Sequence, residues 1–173
     1  MGLIHIYCGD GKGKTTAALG LALRAAGSGM NVHIVQFLKG TPTSELEALK
    51  NIPNITVERC DRNYGFTFSM SEEAKKEITK CHDHLLKRAV MLAESGQIGL
   101  LILDEFNAAY RQGLLDREAA RSFVLNKPEA LELVLTGRNP DAVFVEAADY
   151  VSEICGIKHP YKKKIAARRG IEF

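Results

Sequence analysis

A chain of 173 residues and 19.0 kDa is long enough for one hydrophobic core that buries about 70% of the unfolded surface. Its 46% hydrophobic and 25% charged residues, with 15 glycines, exclude a disordered, collagenous or coiled-coil chain. The net charge of +2 is too small for a protein that works by coating nucleic acid or an anionic membrane.

Charge is unevenly placed: Lys158, Lys162, Lys163, Lys164, Arg168 and Arg169 stand against Glu172 alone, so the C-terminus is basic and the remainder weakly acidic. No aromatic platform is interleaved with these cations, which argues against nucleic acid as the partner. Cys8, Cys60, Cys81 and Cys155 show no C-x-x-C spacing, and no secretory leader pattern precedes them. This usage fits a reducing cytosol. No apolar run approaches the ~20 residues needed to span a bilayer, so no membrane association is expected.

In chain order, the β-prone run Leu3 to Tyr7 stops at a glycine cluster and is followed by an Ala- and Leu-rich helix over Thr16 to Ala26. Gly27 to Gly29 closes that helix, and residues 32 to 37 read as a second strand. Ile55 to Cys60 reads as a third. The spacing of Ser69 to Glu72 fits a capping box, and Ala74, Ile78, Cys81, Leu85, Ala89 and Leu92 give an amphipathic helix to about Ser95. Leu100 to Leu103, Leu131 to Leu135 and Tyr150 to Ile154 are further strands. Helical stretches separate them near Asp116 to Leu125 and, with Asn139 as cap and Pro140 at the first helical position, to Ala147. Such alternation predicts a single α/β domain over 1–173 with a mostly parallel sheet, helices on both faces, and ligands off the C-terminal strand edge.

That edge carries the main motif. Cys8-Gly9-Asp10-Gly11-Lys12-Gly13-Lys14-Thr15-Thr16 nearly matches G-x-x-x-x-G-K-[ST] and lies between a strand and a helix, as a phosphate loop must. Gly9, Gly11 and Gly13 let backbone amides converge on phosphate oxygens, and the helix N-terminus adds partial positive charge. Lys14 suits phosphate and Thr15 suits Mg²⁺. The first consensus glycine falls at Cys8, and Lys12 is an extra cation. The bland alternative is a glycine-rich β-α turn with no ligand. Leu103-Asp104-Glu105 supplies an acidic pair at a strand end, either a second metal-binding element or merely a helix cap; spacing does not decide which carboxylate meets the ion.

Six segments together resemble the ATP:corrinoid adenosyltransferases of the cob(I)yrinic acid a,c-diamide type. They are Gly9 to Ala18, Gln36-Phe37-Leu38-Lys39-Gly40, Gly65-Phe66-Thr67-Phe68, Leu103-Asp104-Glu105, Leu135-Thr136-Gly137-Arg138, and Lys158-His159-Pro160 through Arg169-Gly170-Ile171-Glu172-Phe173. The resemblance implies a RecA-like P-loop fold and transfer of the 5′-deoxyadenosyl group from ATP to Co(I) of cob(I)alamin or a cob(I)yrinic acid derivative, with triphosphate released. It implies ATP contacts from Gly9, Asp10, Gly11, Lys12, Gly13, Lys14, Thr15, Thr16, Arg24 and Arg138, and Mg²⁺ held by Thr15 and Glu105. It further implies that Phe66 and Phe68 cover the lower face of the corrin, that a flavoprotein or other reductase supplies Co(I), and that the protein is a cytoplasmic homodimer. Many relatives carry tryptophan where Phe68 stands, and some have an N-terminal helical extension before the first strand.

No Ser/His/Asp or Cys/His constellation is recognisable, and this chemistry requires none, because Co(I) is itself the nucleophile. Two other readings remain: an ATP hydrolase or kinase in which Glu105 orients water or an acceptor, and a non-catalytic ATP-binding regulator with a basic docking tail. Cys81 and His84, with His82 near, are spaced for two metal ligands on one helix. Cys81 belongs to the apolar stripe, however, and reads better as a core thiol. His159 is given no acid-base role.

Overall fold

A computed structural model describes residues 1–40, 43–62, 64–65 and 70–172, without the side chains of residues 161 and 162. Six strands alternate with helices: β1 (Ile4–Cys8), α1 (Lys14–Gly27), β2 (Val32–Gln36), α2 (Glu45–Leu49), β3 (Ile55–Arg59), α3 (Glu72–Glu94), β4 (Leu100–Asp104), α4 (Phe106–Arg111), α5 (Arg117–Leu125), β5 (Glu132–Thr136), α6 (Ala142–Ala147) and β6 (Tyr150–Glu153). A 3₁₀ turn, Pro160–Lys163, precedes the C-terminal tail.

The strands form one sheet in the order β3-β2-β4-β5-β1-β6, and every pairing is parallel. Parallel neighbours need crossovers, and these carry helices to both faces. Ala18 and Ala22 of α1 and Leu49 of α2 pack with Ile34, Ile102 and Val134 on one face. Helices α3 to α6 cover the other, where Leu85, Phe106, Phe123 and Phe144 meet Ile6, Leu103 and Leu135.

Strand periodicity explains what happens at the C-terminal edge. Ile34, Ile102 and Val134 face α1, so two residues later Gln36, Asp104 and Thr136 fall on that same face. All three are at most 1% exposed. Three neighbouring strands thus end in buried polar side chains beneath the start of α1.

Two caps differ from the sequence reading. Ser71 caps α3, its side chain accepting from the Ala74 amide, whereas Ser69 lies outside the described residues. Asp141, which accepts from the Val143 amide, caps α6 in place of Asn139; Asn139 instead takes a left-handed conformation with φ +50. Asparagine tolerates that region, and an aspartate beside the first helical amides is the stronger cap.

The thiol reading of Cys81 is also corrected. Cys60, just after β3, is disulfide-bonded to Cys81 on the apolar stripe of α3, with Cα atoms 6.2 Å apart. The sequence separation of 21 residues hid a pair that the β3 to α3 crossover brings together. Among the described residues Cys8 and Cys155 are free thiols, and no helix is long and apolar enough to cross a membrane.

Candidate active site

The loop from Cys8 to α1 wraps the end of β1. Gly9 and Gly11 are needed for close packing against the strand beside it: a Cβ at either would lie 2.5 or 2.6 Å from the Ile154 carbonyl oxygen, which accepts from the Gly11 amide at 2.7 Å. Gly13 serves the loop differently. Its φ of +123 is a conformation that other residues rarely adopt, and a Cβ there would meet nothing. It caps α1 without a side-chain hydrogen bond, leaving the first-turn amides available to an anion.

Two cavities open beside Lys14 and Glu105. One, of about 700 Å³, is lined by Lys12, Thr15, Thr16 and Lys39, with Leu19 and Leu23 as its apolar wall. The other, of about 640 Å³, adds Arg111 and Arg138. Lys14 Nζ folds back to donate to the Gly11 carbonyl at 2.8 Å. Asp10 pairs at 3.4 Å with Arg138, which brings the β5 turn to the loop. Arg24 is in the last turn of α1, exposed, and lines neither cavity.

Under the loop lies a compact polar network. Thr15 Oγ1 donates to Asp104 Oδ1 at 2.9 Å, and Thr136 Oγ1 donates to the same oxygen at 2.6 Å. Lys39 Nζ contacts Asp104 Oδ2 at 2.6 Å and Thr15 Oγ1 at 3.2 Å. The Glu105 amide donates to Thr136 Oγ1. Of the acidic pair, Asp104 is therefore the residue that touches Thr15. Glu105 adopts a left-handed conformation, φ +58, which turns the chain into α4 and points the residue at both cavities. Burial, then the neighbouring Asp104 charge, raise the Glu105 pKa.

The C-terminal tail closes over the same place. Gly170, Ile171 and Glu172 line the larger cavity, and Glu172 pairs with Lys12 at 3.1 Å and with Arg168 at 3.1 Å. These contacts hold the Glu172 pKa down at about 2, the Arg168 side-chain hydrogen bond contributing most. The sequence marked Glu172 only as the one acid of the basic C-terminus and as part of a resembling segment. Lys39 and Thr136 stood only in such segments, and Arg111 was missed, since nothing local marks a helix-end arginine as a cavity residue.

Phe66 and Phe68 lie outside the described residues. Their neighbours Tyr64 and Gly65 line a small void with Leu38, Lys39, Cys60 and His82. His82 is buried and uses both ring nitrogens, Nε2 accepting from the Leu38 amide and Nδ1 donating to the Leu114 carbonyl. It is a structural histidine. Among the described residues no group of three or more His, Cys, Asp or Glu could hold a metal by itself.

A model of the ATP:corrinoid adenosyltransferase BtuR/CobO/CobP family matches residues 1–173. This chain belongs to that family. The corrinoid adenosyltransferase of Pseudomonas aeruginosa is 34% identical to it over 99% of this chain and 84% of its own length. Those of Escherichia coli K12 and Salmonella typhimurium are also 34% identical, over 99% of this chain and 86% of theirs. Solved structures extend the likeness at the level of fold. A KaiC-like protein from Pyrococcus horikoshii gives a TM-score of 0.56 at 15% identity, covering 88% of this chain and 71% of its own. The cytoplasmic domain of EssC also gives 0.56, at 18% identity, over 96% of this chain and 34% of its own. The sheet is thus of the RecA-like P-loop kind within the adenosyltransferase family.

Proposed function

We propose that this protein, one domain over 1–173, transfers the 5′-deoxyadenosyl group of ATP to Co(I) of a reduced corrinoid and releases triphosphate. The observation that carries this reading is the full-length family match on a chain whose loop, Lys12, Lys14 and Lys39 make a cationic cradle at one cavity. In the reaction the Co(I) electron pair forms the cobalt to C5′ bond, the C5′ to O5′ bond breaks, and that bonding pair leaves on triphosphate. The protein's task is to align the two substrates and stabilise a departing polyanion.

The α1 amides and Lys14 bind the triphosphate, with Arg138 and Arg111 across the second cavity. Thr15, Asp104 and Glu105 form an all-oxygen donor set that suits Mg²⁺, which when bound supplies further positive charge to the phosphates. Phe66 and Phe68 cover the corrin, and Arg24, in the last turn of α1 beyond the cavity wall at Leu23, contacts the nucleotide. The active form is a cytoplasmic homodimer served by a Co(II)-reducing flavoprotein or other reductase.

Incubation with MgATP and chemically reduced corrinoid tests the reading, with cobalt-carbon bond formation followed by absorbance and the phosphate product identified. Alkylated corrin with triphosphate is the expected result. ADP and phosphate formed without corrinoid would establish a hydrolase, and no turnover an ATP-binding regulator. Lys14→Ala should lower transfer about 10²-fold, as loss of a transition-state charge contact does.

A further inference from the structure

Lys39 occupies an unusual place for a lysine. Its ammonium lies 2.6 Å from Asp104 Oδ2 and 3.2 Å from Thr15 Oγ1, between a carboxylate that is 1% exposed and the hydroxyl of the phosphate loop. Those are the two oxygens on which a divalent cation arriving with a nucleotide would settle. Asp104 needs a positive neighbour at all times, because a buried carboxylate without one is strongly disfavoured. Lys39 provides that neighbour.

The backbone that carries Lys39 is anchored, and its side chain borders the larger cavity. Leu38 takes a left-handed conformation, φ +58, and its amide is held by buried His82 at 3.2 Å. Lys39 itself lines the larger cavity with Lys12 and Lys14, where a bound polyanion would meet its ammonium. Gln36 stands opposite Asp104 in register, is 0% exposed, and has no hydrogen-bond partner among the described residues for either side-chain polar atom.

We propose that Lys39 is a resident counter-ion that holds the metal position of the nucleotide-free protein, leaves Thr15 and Asp104 when a divalent cation enters with ATP, and then pairs with the triphosphate. An ammonium and a divalent cation cannot share two oxygens at these distances, so one displaces the other. Free cation alone is a poor competitor against a tethered lysine; cation delivered on triphosphate is a good one, because the phosphates receive Lys39 as it leaves. The metal therefore binds far more tightly with its nucleotide than alone. This deepens the adenosyltransferase reading and rests on it for the identity of the polyanion.

Mn²⁺ titration of the nucleotide-free protein, followed by electron paramagnetic resonance, tests the exchange without ATP or corrinoid. Lys39→Met should bind Mn²⁺ on the order of tenfold tighter than the unmodified protein, because a competing positive charge has gone. Lys39→Arg, which keeps a cation there, should bind Mn²⁺ as weakly as the unmodified protein, and it guards against an effect of misfolding. Lys39→Met should also lower kcat for transfer, so that metal affinity rises while turnover falls; a general structural lesion lowers both. Equal or weaker Mn²⁺ binding in Lys39→Met overturns the counter-ion role, and an unchanged kcat overturns the pairing with triphosphate. Failure of the unmodified protein to alkylate any corrinoid would remove the transfer reading and leave the Mn²⁺ comparison valid.

Discussion

Asp104 concentrates the energetics of the site in one side chain. It accepts from Thr15, Thr136 and Lys39 while almost wholly excluded from water. Asp104→Ala should lower unfolding free energy by about 3 kcal/mol, the lower end for breaking a buried pair, since Lys39 is partly solvated; denaturant titration measures it. Glu172 gives a pH test. Its pKa in the folded chain is pushed down to about 2, well below the ordinary carboxylate range, so the Arg168 to Glu172 contact is fully present above that range and is lost as pH falls towards 2. Carboxyl chemical shifts should show Glu172 titrating well below the other glutamates, and an ordinary midpoint would mean that the Arg168 to Glu172 contact does not form. Of these residues, Lys14 and Thr15 are legible in sequence because the loop motif fixes their roles by spacing. Lys39 is not, since its partner is 65 residues away.

Elements are set largely by local pattern, and their ends by competition among nearby caps. The alternation of strands and helices follows from apolar periodicity, whereas Ser71 and Asp141 displaced Ser69 and Asn139 as caps because hydrogen-bond geometry, rather than motif spacing, chooses between adjacent candidates. Short α2 and α4 escaped notice: five or six residues carry too little periodicity to register. The Cys60 to Cys81 bond ties β3 to α3 around the segment that includes Phe66 and Phe68. Under non-reducing conditions, Cys81→Ser should lower stability by about 3 kcal/mol through the lost loop constraint, and the difference should vanish when both proteins are reduced. Persistence of the gap in reductant would mean that packing, not the cross-link, is responsible.

Across the whole molecule, strand order brings the functional pieces together. Placing β4 between β2 and β5 aligns Gln36, Asp104 and Thr136, and placing β6 beside β1 sets Ile154 against the loop. The tail then returns from the far edge to Lys12. MgATP at a hundredfold excess over its Kd should stabilise the fold by about 2.7 kcal/mol, visible as a higher Tm. The shift should come within one cooperative transition reported alike by circular dichroism and tyrosine fluorescence; two separable transitions would contradict a single domain.

Residue order alone determined the strand succession and the longer helices, the phosphate loop with its flanking elements, and the resemblance that the family match bears out. Each is written in short-range spacing or in motifs that survive as strings. Tertiary structure decided that Asp104 rather than Glu105 meets Thr15, that Lys39 fills the space between them, that Gly9 and Gly11 answer to Ile154, and that Cys60 finds Cys81. Those pairings depend on which strands lie side by side and on which face each side chain falls, and crossover connections place residues together without leaving any local trace in the chain.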